Sequence, residues 1–254
     1  MTPLHVHTAH SVMYKLDTFI LLKYMRLLLT SSGITNKSIA NALFELAGKK
    51  PEETTLAFIP TASNVETGDK NWLINDLIDL KKLNLKSIEI TDISAVDEKI
   101  WKSSVENADV LFFEGGNIYH LMEWLNKSGL AKKLTELLKN KVYVGVSAGS
   151  MVTNKKLVLK ISQAIYGEDL EKDYEMDGLN FVDFYFLPHL NSDYFVNLRE
   201  DFVRNTVKDM DEKIYVLDDD SALKVVDGKV EVISEGKWFE IIHTLPTQKS
   251  LKML

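Results

Sequence analysis

From residue 25 onward the apolar positions fall into two alternating rhythms. Short unbroken runs of Val, Ile, Leu and Phe occupy 27–31, 54–60, 87–91, 109–113 and 142–146. Between them, 36–47, 72–83, 97–105, 118–126 and 131–139 carry apolar residues at helical spacing, as Ile39, Leu43, Phe44 and Leu46 illustrate. Unbroken runs predict strands covered on both faces, which is the habit of a parallel sheet. Their alternation with helices predicts a doubly wound, three-layer α/β/α sandwich with a mostly parallel sheet. The last third reads differently. Strands are predicted at 184–187 and 214–217, and 157–166 reads as a β-type segment. The segments 222–226 and 230–234 flank Asp227-Gly228, a primed-turn signal that predicts an antiparallel hairpin at one sheet edge.

Length and composition narrow this picture. The 254 residues are 45% hydrophobic, and no linker, repeat or low-complexity run divides them. A single α/β domain is therefore expected over 25–254, with 1–24 as an extension outside the core. The apolar stretch 16–30 is interrupted by Asp17, Lys23 and Arg26, too short and too charged for a membrane span. A signal peptide's basic start and small-residue cleavage site are missing. The formal charge of −7 argues against a nucleic-acid partner. There are no cysteines, which removes disulfides, thiolate metal sites and a cysteine nucleophile. A cytoplasmic protein without membrane attachment is expected, as a monomer or homodimer. Neither a cofactor nor a metal is expected; His5, His7 and His10 read as incidental tail residues.

The chemistry begins at Gly145-Val146-Ser147-Ala148-Gly149. This Gly-x-Ser-x-Gly pattern follows a predicted buried strand and precedes a helix-compatible stretch, the setting of a nucleophile elbow. A serine needs a base. His189 follows the strand 184–187 and Pro188, at a strand end where catalytic groups collect, whereas His120 sits at helical spacing and reads as a packed or surface residue. The group orienting the imidazole is open among Glu168, Asp169, Glu171, Asp173, Glu175, Asp177 and Asp183, with Glu168 in a loop that can reach the histidine. An oxyanion would be met by the Ala148 N–H and by the turn Glu114-Gly115-Gly116-Asn117, where Asn117 also suits a helix N-cap.

The segments Leu-Phe-Phe-Glu-Gly-Gly-Asn (111–117), Gly-Val-Ser-Ala-Gly-Ser (145–150) and Leu-Pro-His (187–189) occur in this order. Upstream lies Phe-Ile-Pro-Thr-Ala-Ser (58–63) and downstream Asp-Asp-Asp-Ser-Ala-Leu (218–223). Together they resemble the serine peptidase family of α-aspartyl dipeptidase (dipeptidase E) and cyanophycinase, over about residues 25–235. The resemblance implies a fold like that of the class I glutamine amidotransferases, with serine at the elbow in place of cysteine. It implies Ser147 as nucleophile, His189 as base and Gly115-Gly116 as the oxyanion loop. It puts the acid between serine and histidine in chain order, where Glu168 is the nearest candidate. It also implies a basic residue after the histidine that holds an N-terminal aspartate; Arg199 and Arg204 fall on the helix expected there. The expected function is a serine hydrolase of small peptides, dipeptidase-like, acting through an acyl-enzyme. The alternatives are an amide or ester hydrolase that is not a peptidase, or an inactive ligand-binding member of the same fold.

Overall fold

A computed structural model describes residues 25–167 and 176–242. Its strands are β1 (Arg26–Thr30), β2 (Thr55–Ile59), β3 (Ser87–Ile90), β4 (Val110–Phe113), β5 (Val142–Val146), β6 (Lys156–Leu157), β7 (Met176–Asp177), β8 (Phe184–Leu187), β9 (Lys213–Leu217), β10 (Ser221–Val226), β11 (Lys229–Ser234) and β12 (Trp238–Ile241). Its helices are α1 (Lys37–Ala47), α2 (Thr61–Asn64), α3 (Asn71–Lys82), α4 (Glu98–Asn107), α5 (Ile118–Lys127), α6 (Leu130–Leu137), α7 (Ala148–Met151), α8 (Leu159–Tyr166) and α9 (Glu200–Thr206). The seven-stranded sheet has the order β11-β10-β1-β5-β4-β2-β3. From β1 to β3 the neighbours are parallel, and β10 and β11 join antiparallel at one edge.

The central strands are buried on both faces because successive side chains point to opposite sides. Leu27, Leu29, Ile59, Leu111, Phe113 and Tyr143 pack with Trp101 and Val105 of α4, Leu121 and Leu125 of α5 and Leu134 of α6. On the other face, Leu28, Phe58, Phe112 and Val144 pack with Ile39, Leu43 and Leu46 of α1 and Leu80 of α3. Each such fully buried side chain contributes about 1.5–3 kcal/mol. The result is the expected three-layer sandwich.

The hairpin forms as its turn signal requires. Asp227 and Gly228 both have positive φ, 51° and 76°, the geometry of a type I′ turn. Two features differ from the sequence expectation. Residues 159–166 are helical, because Ile161 and Ile165, one turn apart, bury together against Tyr185, Val203 and Val216; two isoleucines at that spacing serve either rhythm locally, and the partner decides. Strands β8 and β9 also do not extend the large sheet. They form a separate three-stranded sheet with β12, a strand the sequence pattern did not single out, in the order β12-β9-β8.

The parallel strands all end along one line. Thr30 pairs with Val146, Phe113 with Gly145 and Ile59 with Phe113, so Ser31, Ser147, Glu114 and Pro60 follow one another along the carboxyl edge of the sheet. That edge is where α/β sheets of this type bind ligands. Among the described residues no helix is long and apolar enough to cross a membrane. The extension 1–24, the tail histidines and His243 lie outside the described residues.

Candidate active site

β5 delivers Ser147 into a backbone conformation that L-residues rarely adopt, φ 47° and ψ −108°, and α7 starts at the next residue. Such a conformation costs on the order of 1–3 kcal/mol and persists only where its surroundings hold it. Here the end of β1 holds it. The Ser147 N–H donates to the Thr30 carbonyl at 3.1 Å, and the Ser150 hydroxyl donates to the same oxygen at 2.8 Å. The turn is tight enough that a methyl group at 145 would come to 2.5 Å from the Gly149 carbonyl oxygen, and one at 149 would overlap the carbonyl of Phe113.

His189 is likewise held at positive φ, 69°. Its N–H donates to the Ser31 hydroxyl oxygen at 2.7 Å, which ties the histidine to the end of β1. The ring lies with Nε2 2.9 Å from Ser147 Oγ and Nδ1 2.6 Å from Asp219 Oδ1. The Ser31 hydroxyl donates to that same Asp219 oxygen at 2.9 Å. Phe195 stacks on the imidazole with centroids 4.9 Å apart, and the histidine side chain is only 13% exposed. Burial works against ionising Asp219. The hydrogen bond and charge of His189, with the Ser31 hydroxyl, outweigh it and hold the carboxyl below its ordinary value. It is therefore ionised at neutral pH, as a group that stabilises an imidazolium must be.

This corrects the expected acid. Glu168 lies outside the described residues, and the carboxylate on Nδ1 is Asp219. The chain order of the three is serine, histidine, aspartate, with the acid last and not between. Asp219 follows β9 as His189 follows β8, and β8 and β9 are parallel, so both loops open on the same side. An acid just after a predicted strand was the sequence signal that could have found it, and 218–223 already formed part of the resemblance.

The oxyanion loop also differs in detail. The Gly115 N–H is occupied, donating to Glu114 Oε1 at 2.8 Å. The N–H groups of Gly116 and Ala148 donate to no acceptor among the described residues. Gly116 has φ 122°, and a methyl there would lie 2.8 Å from the Ser63 nitrogen and closer still to the Ala62 carbonyl. Gly116→Ala should therefore lower stability by on the order of 2 kcal/mol or more. Denaturant unfolding measures this, and an unchanged midpoint would contradict the strained fit.

The two expected substrate contacts are in structural use. Asn117 Oδ1 accepts from the His120 N–H at 2.9 Å and caps α5. Arg199 Nη1 donates to the carbonyls of Ser192 and Leu198 at 3.0 and 3.2 Å, fastening the loop that carries Phe195. Arg204 pairs with Glu200 at 2.7 Å on the surface of α9. A residue the sequence did not single out borders the oxyanion loop instead. The Trp72 ring lies 3.9 Å from the position a methyl on Gly115 would take, which is itself 3.3 Å from Ser147 Cβ. Among the described residues, no three His, Asp or Glu side chains converge as a metal site would.

A hydroxyl, an imidazole and a carboxylate in one hydrogen-bonded line can pass a proton from oxygen to nitrogen while the carboxylate holds the ring and its charge. The model of peptidase family S51 matches residues 27–233. A Listeria innocua protein named as an uncharacterized peptidase is 29% identical over 192 residues, 70% of this chain and 87% of its own. Peptidase E of Escherichia coli is 28% identical over 126 residues, 49% of this chain and 52% of its own. The crystal structure of a putative peptidase E protein from Listeria monocytogenes superposes with a TM-score of 0.69 at 25% identity, covering 84% of this chain and 99% of that one. With a family match that spans most of the sequence and reaches from β1 to β11, the chain belongs to peptidase family S51, a family of serine peptidases.

Proposed function

We propose that this peptidase hydrolyses small peptides through an acyl-enzyme on Ser147. His189 Nε2 takes the Ser147 hydroxyl proton as Oγ attacks the scissile carbonyl. Asp219 holds the ring with Nδ1 protonated and stabilises the imidazolium. The N–H groups of Ala148 and Gly116 receive the oxyanion. The imidazolium then gives its proton to the departing amine, and water, activated by the same histidine, releases the acyl group. The observation that carries this reading is the unbroken line from Ser147 Oγ through His189 to Asp219 Oδ1, at 2.9 and 2.6 Å.

A fluorophosphonate probe followed by peptide mapping tests the nucleophile, and a dipeptide-library screen tests the substrate class. Labelling at Ser147 with turnover of dipeptides is the expected result. An unlabelled Ser147 rules out the acyl-enzyme, and turnover of esters without any peptide turnover rules out the peptide substrate. A preference for N-terminal aspartate, implied by the family resemblance, would use the donors of Arg199 beyond Nη1. It predicts roughly tenfold to a thousandfold higher kcat/KM for dipeptides beginning with aspartate than with asparagine, since a partly buried guanidinium gains its anion only with the former. Arg199→Met should then erase the difference. Equal rates on the two dipeptides in the unmodified protein remove the arginine pocket.

A further inference from the structure

Behind the oxyanion loop lies a carboxyl that the proposed chemistry leaves unused. Glu114, the residue after β4, is fully buried. Its Oε1 accepts from the Gly115 N–H at 2.8 Å, and its Oε2 meets no N–H, amide or hydroxyl donor among the described residues. The polar group against it is another carboxyl, that of Asp76 on α3. Asp76 is itself pressed into the site. A methyl on Gly33 would come to 2.9 Å from its Oδ1. Two carboxyls can hydrogen-bond only if one of them keeps a proton. A buried carboxylate oxygen without a donor would be costly, and a proton shared with Asp76 removes that cost.

We propose that Glu114 and Asp76 form a proton-sharing carboxyl pair that positions the oxyanion loop, so that the reactivity of Ser147 depends on a proton that takes no part in the reaction. The geometry links the parts in series. Asp76 meets Glu114, Glu114 holds the Gly115 N–H, and Gly115 packs against the nucleophile, where a methyl would reach 3.3 Å from Ser147 Cβ. With Gly115 anchored in this way, the next N–H, that of Gly116, is left for the substrate. Trp72 and Asp76 sit one turn apart on α3, so the same helix borders Gly115 and closes the pair.

The charges around the pair favour retention of the proton. Burial raises Asp76 most, to about 7; the hydrogen bond from Glu114 lowers it, and Asp79 of the same helix and Asp219 of the histidine's loop raise it. Glu114 is raised well above its ordinary value by burial, by the charge of Asp76 and by their hydrogen bond, against the opposing Gly115 N–H. Among the described residues, the charges that act on Asp76, those of Asp79 and Asp219, are acidic. The sign follows. On the acid side of its titration the pair is closed. As pH rises and the last proton leaves, two negative charges in buried contact repel one another, the loop loses its anchor, and added negative charge opposes the oxyanion. Reactivity should fall on the alkaline side.

This inference rests on the acyl-enzyme reading, so the test separates the two. The rate of fluorophosphonate labelling of Ser147 is followed against pH, together with the infrared carbonyl band of a protonated carboxyl. In the unmodified protein, labelling should slow at alkaline pH and the band should be present at pH 7. In Glu114→Gln the amide can both accept from Gly115 and donate to Asp76, so no shared proton is needed. That variant should lose the band, lose the alkaline fall, and recover most of the rate that Glu114→Ala forfeits. The alanine variant should label about 10²-fold more slowly, the scale of losing one oxyanion donor. An alkaline fall that persists in Glu114→Gln, equal rates in the Gln and Ala variants, or no protonated-carboxyl band in the unmodified protein would each overturn the pair. If the unmodified protein fails to label at all, the acyl-enzyme reading and the loop-positioning role fall together, and the infrared band still decides whether the proton is shared.

Discussion

Ser147→Ala is expected to fold as the parent does and to lose about 10⁴–10⁶-fold in kcat, because the members of such a relay act as a unit. The fold should survive for a local reason. The elbow is held by backbone groups, with the Ser147 N–H on the Thr30 carbonyl and the Ser150 hydroxyl on the same oxygen. Among the described residues, the Ser147 hydroxyl contributes its contact with His189 Nε2. Thermal melting within a few degrees of the parent, together with lost turnover of whichever dipeptide the screen selects, is the expected pair of results. Activity within tenfold of the parent would show that another group carries the reaction. His189→Ala should be nearly as damaging, and the double variant hardly worse than either single one. Losses that multiplied would mean that the two residues act independently.

The second large effect is at Asp219. Asp219→Asn keeps the size and one acceptor oxygen but can no longer stabilise an imidazolium, and its amide can present a donor to Nδ1. The ring is then held in the wrong tautomer, with Nε2 protonated and unable to take the serine proton. A loss of about 10⁴-fold in kcat is expected. Glu168→Gln is the contrasting variant, and it should leave kcat within a few-fold, since the carboxylate on Nδ1 is Asp219. A large loss in Glu168→Gln with a small one in Asp219→Asn would reverse the assignment. Ser31→Ala should fall between, because its hydroxyl holds both the His189 N–H and Asp219 Oδ1 without touching the reacting atoms.

Much of the fold was legible along the chain because it depends on local spacing. The unbroken runs of β1, β4 and β5 announced strands buried on both faces, and Leu27, Leu28 and Leu29 are indeed fully buried. Asp227-Gly228 fixed its own turn, since only residues that tolerate positive φ can make it. The elbow could be read for the same reason. Gly145 and Gly149 stand where any side chain would strike a carbonyl, and a steric demand of that kind is written in the residue type itself.

What the chain alone left open was decided by partners distant in sequence. Residues 159–166 carry isoleucines that fit a strand or a helix, and the helix wins because Ile161 and Ile165 share one buried face against β8 and β9. The acid is the clearest case. Seven acidic residues lie between Ser147 and His189, yet the carboxylate that meets the ring comes from residue 219, 30 positions further on. Composition and spacing cannot rank these candidates, because a carboxylate orients an imidazole by position and not by neighbours in the chain. That position is set by the parallel pairing of β8 with β9, which brings their two loops to one side, and by Ser31, which binds the histidine and the aspartate from the end of β1. Glu114 shows the same division. Its place after a buried strand was visible from the sequence, while its role depends on Asp76, which α3 brings across the carboxyl edge of the sheet to meet it.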